Sequence, residues 1–157
     1  MSEKARVVFD CNTLLQALGS PNGPAGLCIQ LAVEGQIILI VSPVILAELK
    51  EVLERPSVIR QFKLRGKRAD EYLETLQRIG WSLQGFPEPF IYARDPDDAH
   101  FINLALAANA KLIVSRDKDL LDLMDSSKPD GQKFHKQFPG LRILDPVSFL
   151  KEFAPQA

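Results

Sequence analysis

The chain has 157 residues, 46% hydrophobic and 25% charged, with 9 Gly and 11 Pro. A chain of this size buries about 70% of its unfolded surface, enough for one core, so a single domain over 1–157 with a core near 5–150 is expected. This balance excludes extended disorder, and 19 Lys+Arg against 20 Asp+Glu, net −1, argue against a generally basic nucleic-acid binder.

Arg6–Phe9 reads as a short buried strand that ends at Asp10. Asn12 or Thr13 is expected to cap a short helix through Leu18, and Gly19–Gly23 forms a loop. Pro24 suits a first helical turn, and that helix runs to Glu34 with Gly35 as its stop. Ile37–Val41 is the clearest strand and the longest apolar run, closed by Ser42 and Pro43. It is far shorter than the roughly 20 residues of a membrane span. Met1–Asp10 holds no apolar signal segment, so a cytoplasmic location without membrane contact is expected. Ser42-Pro43 starts a helix that Arg55-Pro56 ends. Ser57–Leu64 and Lys67–Ile79 read as further helices, and Trp81–Gln84 as a strand. Arg94–Asp98 opens a helix reaching Ala108, and Leu112–Val114 is the next strand. Asp117–Met124 reads as a helical turn or two, and Asp125–Phe138, polar with Pro129 and Gly131, as an excursion loop. Leu141–Leu144 is a last strand, Asp145-Pro146 opens a last helix through Phe153, and a frayed tail over 154–157 is expected.

Apolar strands separated by helices predict an α/β protein with a mainly parallel sheet covered on both faces. Ligands of such sheets bind beyond the carboxyl ends of the strands. Carboxylates stand there: Asp10 ends the first strand, and Asp117 lies three residues past Val114. Asp98 sits in the first turn of the preceding helix, sharing a face with Phe101, Ile102 and Ala105, although Asp97 fits that face nearly as well. Glu48 has the helical spacing of Ile45, Leu49 and Val52, which predicts a half-buried carboxylate in an apolar stripe.

Each aspartate also has an ordinary use as a helix cap, and Glu48 has one as the partner of Arg6 or Arg116. Their conjunction at one sheet edge points elsewhere. Two charges ~6 Å apart repel by roughly 3 kcal/mol at an effective dielectric of ~20. Summed over four converging carboxylates, the repulsion rivals the stability of a domain, about 5–15 kcal/mol. Such a cluster holds protons or a cation, and an all-oxygen set favours Mg²⁺ or Mn²⁺. Cys11 and Cys28 read as reduced core residues, and His100 and His135 as surface or satisfied core histidines.

Phe9-Asp10-Cys11-Asn12 resembles the D-x-N opening of PIN-domain nucleases. Ser42–Leu53 around Glu48 resembles their second acidic motif, Asp95-Pro96-Asp97-Asp98 with Phe101 and Ala105 the third, and Val114–Leu120 the fourth. The likeness spans about residues 5–150, with Ser115 and Leu120 in place of the commoner Thr and aromatic. It implies a three-layer α/β/α PIN-like fold, and it is similar to the VapC-like toxins of bacterial toxin–antitoxin pairs. By resemblance, Asp10, Glu48, Asp98 and Asp117 are metal ligands and catalytic residues, which favours Asp98 over Asp97. By the same likeness Asn12, Ser115 and Asp119 support them. The implied activity is hydrolysis of RNA by water activated at Mg²⁺ or Mn²⁺. The implied partners are a cognate antitoxin and further copies of the chain, as a homodimer or higher homo-oligomer. A catalytically inert PIN-like RNA-binding or interaction module is the alternative.

RNA needs positive charge nearby. Arg55, Arg60, Lys63, Arg65, Lys67 and Arg68 form a stretch without an acid and are candidate phosphate contacts. Lys111, Arg116 and Lys118 are expected nearer the acidic residues.

Overall fold

A computed structural model describes residues 3–153; the tail expected to fray, 154–157, lies outside them. Five strands, β1 (Arg6–Phe9), β2 (Ile38–Val41), β3 (Trp81–Ser82), β4 (Leu112–Val114) and β5 (Arg142–Leu144), form one sheet in the order β3-β2-β1-β4-β5. Every pairing is parallel. The central strands β1, β2 and β4 are short, largely buried apolar runs, as a sheet covered on both faces requires, whereas the two-residue edge strand β3 is exposed.

Alternation along β1 assigns the two faces. Phe9 points to the last helix, α9 (Pro146–Phe153), with its ring 6.2 Å from that of Phe149. Arg6, of opposite parity, donates to the carbonyl of Ala108 at 2.9 Å, at the end of α6 (Ala99–Ala107). Two N-terminal helices, α1 (Cys11–Gly19) and α2 (Pro24–Val33), pack on each other, and α2 packs on α9. α6 lies across β1, β2 and β4. Between β2 and β3 run α3 (Pro43–Leu53), α4 (Pro56–Phe62) and α5 (Arg68–Ile79). The expectation of a covered parallel sheet therefore holds.

The chain winds from β1 outward to β3, then returns to place β4 on the other side of β1. β1 and β4 are thus the strands at which the winding reverses, where open parallel sheets form a crevice. Register pairs Phe9 with Val114, so Asp10 and Ser115 leave the sheet side by side.

Two local expectations need correction. Asp10, not Asn12 or Thr13, caps α1: its carboxylate accepts the Thr13 amide at 2.9 Å, while Asn12 is exposed. The stretch 125–138 is no excursion loop, since it contains α8 (Pro129–Gln137). Its first half does turn, with Asp125 accepting from Ser127 at 2.9 Å. α8 hides from pattern reading because its nine residues bury only Gly131 and Phe134. Gly131 passes so close to the Asp125 carbonyl that a side chain would collide with it. Phe134, 2% exposed, seats its ring edge-on 5.5 Å from Phe90. Phe134→Ala is therefore expected to destabilise the protein by about 3–5 kcal/mol in a denaturant titration; a loss below about 1 kcal/mol would show that α8 is not anchored through this ring.

Candidate functional site

Beyond the carboxyl ends of β1 and β4, side chains from three segments meet. The first is Asp10, 4% exposed, with Oδ1 on the Thr13 amide and Oδ2 accepting from the Ser115 hydroxyl. Ser115 is fully buried and its Oγ also accepts the Asp117 amide at 2.9 Å. One hydroxyl thus ties the end of β1 to the segment after β4.

That segment is the second. Asp117 caps α7 (Lys118–Leu121) by accepting the Asp119 amide on Oδ1 at 2.8 Å. A 3-10 turn, Asp122–Met124, follows directly. The third segment is another 3-10 turn, Pro96–Asp98, capped by Asp95. Asp95 Oδ1 accepts the Asp98 amide at 3.4 Å. Three residues make one 3-10 turn, so Asp95 and Asp98 share a side.

Asp95, Asp98, Asp117 and Asp119 each offer a carboxylate oxygen, and these oxygens all lie within 4.8 Å of one another. Capping and clustering are compatible here, because a cap occupies one oxygen of Asp95 and of Asp117 and leaves the other. Asp98 is 6% exposed, and its Oδ2 is buried with no hydrogen-bond donor among the described residues. Buried polar atoms are rarely left so. Burial first, then the charges of Asp117 and Asp95, then a hydrogen bond that a protonated Asp98 can share with Asp117, and last the charge of Asp10 push the Asp98 carboxyl up to about 8. Burial also raises Asp10, outweighing the hydrogen bonds from Ser115 and Thr13 that pull it down.

The residues fit a hard divalent cation. Oxygens around octahedral Mg²⁺ lie ~2.1 Å from the ion and hence ~3–4 Å apart. The all-oxygen set, within 4.8 Å of one another, suits such an ion, which would give the buried Asp98 oxygen a counter-charge.

Of the residues singled out from sequence, Asp98, Asp117 and Asp119 fall in the four-oxygen set. Asp10 adjoins it through Ser115. Asp97 is exposed and outside the set. Glu48 is exposed too, contrary to the expected half-buried stripe. The buried stripe of α3 is Ile45, Leu49 and Leu53. At about 100° per residue, Glu48 stands about 100° round the helix from its centre. Its carboxyl is still raised, by partial desolvation first and then by Asp97, with His100 opposing and Asp10 adding. Neither Arg6, which bonds Ala108, nor the exposed Arg116 is its ion-pair partner.

Glu48, Asp97 and His100 line a cleft of about 650 Å³ beside the cluster, together with Phe90, Phe101 and the exposed Ile91. His100 bonds Ser42 Oγ through Nε2 at 2.8 Å and Glu88 through Nδ1 at 3.3 Å, a satisfied histidine, while His135 is exposed. Cys11 and Cys28 are free and buried, and burial pushes both thiols up to about 12, so neither is a nucleophile at neutral pH.

The basic stretch divides. Arg60, Lys63, Arg65 and Lys67 are exposed, and Arg55 pairs with Glu51 at 3.3 Å. Arg68 is a structural tie, donating to the carbonyls of Leu18 at 2.6 Å and Phe62 at 3.3 Å. Arg116 and Lys118 are exposed on either side of Asp117. Lys111 precedes β4 and so stands at the opposite end of the strand from the carboxylates.

Asp95 belongs to the third acidic motif of the sequence, but the resemblance gives it no ligand role, and the four-oxygen set adds it. Sequence reading missed Arg94, which pairs with Asp119 at 2.6 Å and Asp122 at 2.8 Å. The three-residue spacing of Asp95 and Asp98 was the available signal for Asp95. Nothing local signals Arg94, since its partners lie 25 and 28 residues away.

The family described as PIN domain matches residues 6–119. The chain is also similar to an uncharacterized protein of Methanocaldococcus jannaschii, MJ1680, with 32% identity over 160 residues, covering 96% of this chain and 92% of that protein.

Proposed function

The chain belongs to the PIN-domain family, which suggests a nuclease, and from that premise we propose that it is a divalent-metal-dependent endoribonuclease. The observation that carries this reading is the buried Asp98 oxygen without a donor, set among the carboxylates of Asp95, Asp117 and Asp119. It also weighs against an inert RNA-binding or interaction module, in which caps alone would account for the acids.

In the proposed mechanism, the carboxylates of Asp95, Asp98, Asp117 and Asp119 would hold Mg²⁺ or Mn²⁺. A divalent ion bound there would supply an acidified water and would offset charge on the phosphate. Asp10 backs the set through the Ser115 hydroxyl, which also fixes the Asp117 backbone. Asn12, exposed in the first turn of α1, is proposed to contact the strand. Glu48 lines the same cleft as Asp97 and is proposed to bind or orient water there. The cleft lined by Phe90, Phe101 and His100 is proposed to take an unpaired nucleotide, and the exposed Arg116 and Lys118 are proposed to contact its phosphates.

The test is cleavage of a single-stranded RNA by purified protein with Mg²⁺ or Mn²⁺, against EDTA and against Asp117→Asn. Activity is expected only with metal and to fall about a hundredfold or more in the variant. Cleavage that persists in EDTA ends the reading. Glu48→Gln is expected to be milder, about tenfold, because the side chain is exposed and outside the four-oxygen set.

We extend the proposal to the toxin of a toxin–antitoxin pair acting in the cytoplasm as a single-domain protein, with homodimer formation and a cognate antitoxin. The support is the likeness of the acidic motifs to that group. Induced expression should arrest growth, and Asp117→Asn should relieve the arrest.

A further inference from the structure

The segment that carries Asp95 and the segment that carries Asp119 are separate in the chain, and a single side chain spans them. Arg94 directly precedes Asp95. Its Nε lies 2.6 Å from Asp119 Oδ1 and its Nη2 2.8 Å from Asp122 Oδ2. Asp122 is in turn held by Lys128 at 2.9 Å, just before α8. Two residues upstream of Arg94, the buried Tyr92 donates its hydroxyl to the Asp119 carbonyl at 2.8 Å. The 92–95 loop is therefore fastened to Asp119 by both side chain and backbone, and the fork of Arg94 orients the Asp119 carboxylate.

We infer that Arg94 is a positioning residue: it clamps Asp119 and sets the span between the two carboxylate walls that would hold the divalent ion. This rests on the metal-dependent reading above. A clamp differs from a simple neutralising charge in the sign of its effect. Removing a mere positive charge beside an acidic cluster strengthens binding of a cation. Removing a clamp weakens it, because the oxygens no longer converge. Lysine keeps the charge, but an ammonium is a point charge without the planar fork that reaches two carboxylates at once.

The experiment is Mn²⁺ binding to the full chain, read by electron paramagnetic resonance of free Mn²⁺ and by the Mn²⁺ concentration that half-saturates the thermal shift. Arg94→Lys and Arg94→Gln are both expected to weaken Mn²⁺ binding roughly tenfold, the scale of groups that orient metal ligands. Asp122→Asn, which leaves all four clustered carboxylates in place, is expected to weaken it in the same direction by loosening the fork. Circular dichroism of each variant checks folding, and Arg94 is exposed enough that the fold should persist. If wild type binds Mn²⁺ and Arg94→Lys and Asp122→Asn bind it equally well, the clamp is overturned. So it is if Arg94→Gln binds more tightly. If wild type shows no Mn²⁺ binding, the metal-dependent reading fails together with the clamp.

Discussion

Asp98→Asn is expected to abolish cleavage while making the metal-free protein harder to unfold at about pH 8. The two effects have one cause. Asp98 is buried among Asp95, Asp117 and Asp119, with oxygens of all four within 4.8 Å, and its Oδ2 has no donor among the described residues. An amide removes the charge that those neighbours repel, and its N–H can donate to them. At an effective dielectric of ~20 each close pair costs roughly 3 kcal/mol before screening, so a net gain of about 1–3 kcal/mol is reasonable. For a chain of this size that raises Tm by about 2–10 °C. On the proposed reading, the lost anion would remove a ligand of the divalent ion, whose charge would otherwise offset that of the transition state. Several kcal/mol of stabilisation go with it, and so about a thousandfold or more in rate. The checks are a thermal melt in EDTA and a single-turnover RNA assay with Mn²⁺. A metal-free Asp98→Asn protein no more stable than wild type would show that the acids do not repel in the folded state. Opposed changes of this kind mark a site selected against the stability of the fold.

Much of this arrangement could be read in advance because its determinants are local. Ile37–Val41 is apolar and ends at Ser42-Pro43, so both the strand and the capped helix after it follow from sequence, with Ser42 Oγ accepting the Ile45 amide at 3.2 Å. The position of Asp10 beside Ser115 follows from parallel pairing of two such strands. What failed depended on geometry finer than a period. Glu48 shares the three-residue spacing of a stripe but stands at its edge, because α3 buries only the narrow line Ile45, Leu49 and Leu53. α8 carries a single large anchor, Phe134, among polar residues, and one anchor has no period. The part of Asp95 was hidden by chemistry common to caps and ligands: a carboxylate serving the Asp98 amide looks like any N-cap until it is found clustered with Asp98, Asp117 and Asp119. Arg94 was illegible for a different reason, since an ion pair across 25 residues leaves no mark in local composition.

Stabilisation by Mn²⁺ should grow steeply from about pH 5 to about pH 8. The Asp98 carboxyl stands near 8 in the folded protein against 3.8 for an ordinary aspartate, and Asp10 is raised in the same direction. A raised carboxyl contributes stability in full below its unfolded value and loses it as pH rises through the folded one. Metal-free protein therefore weakens across this window as the cluster ionises. Asp122, lowered by its bonds to Lys128 and Arg94, and Asp125, lowered by Ser127, have the opposite sign, but their contribution is lost only as pH falls below about 4. They leave the trend between about pH 5 and 8 intact. An ion held by these carboxylates would need them ionised, so a proton would have to leave Asp98 before it binds. Affinity then falls by up to tenfold per pH unit below the folded value, about 1.4 kcal/mol each. At a hundredfold excess over Kd the ion adds about 2.7 kcal/mol, or about 5–10 °C in Tm. At about pH 5 the same Mn²⁺ concentration should add little. Melts with Mn²⁺ or EDTA across this range measure the difference directly, and Asp98→Asn should flatten it. A Mn²⁺ shift of the same size at both ends would mean that the ion sits on other carboxylates, away from the buried oxygen of Asp98.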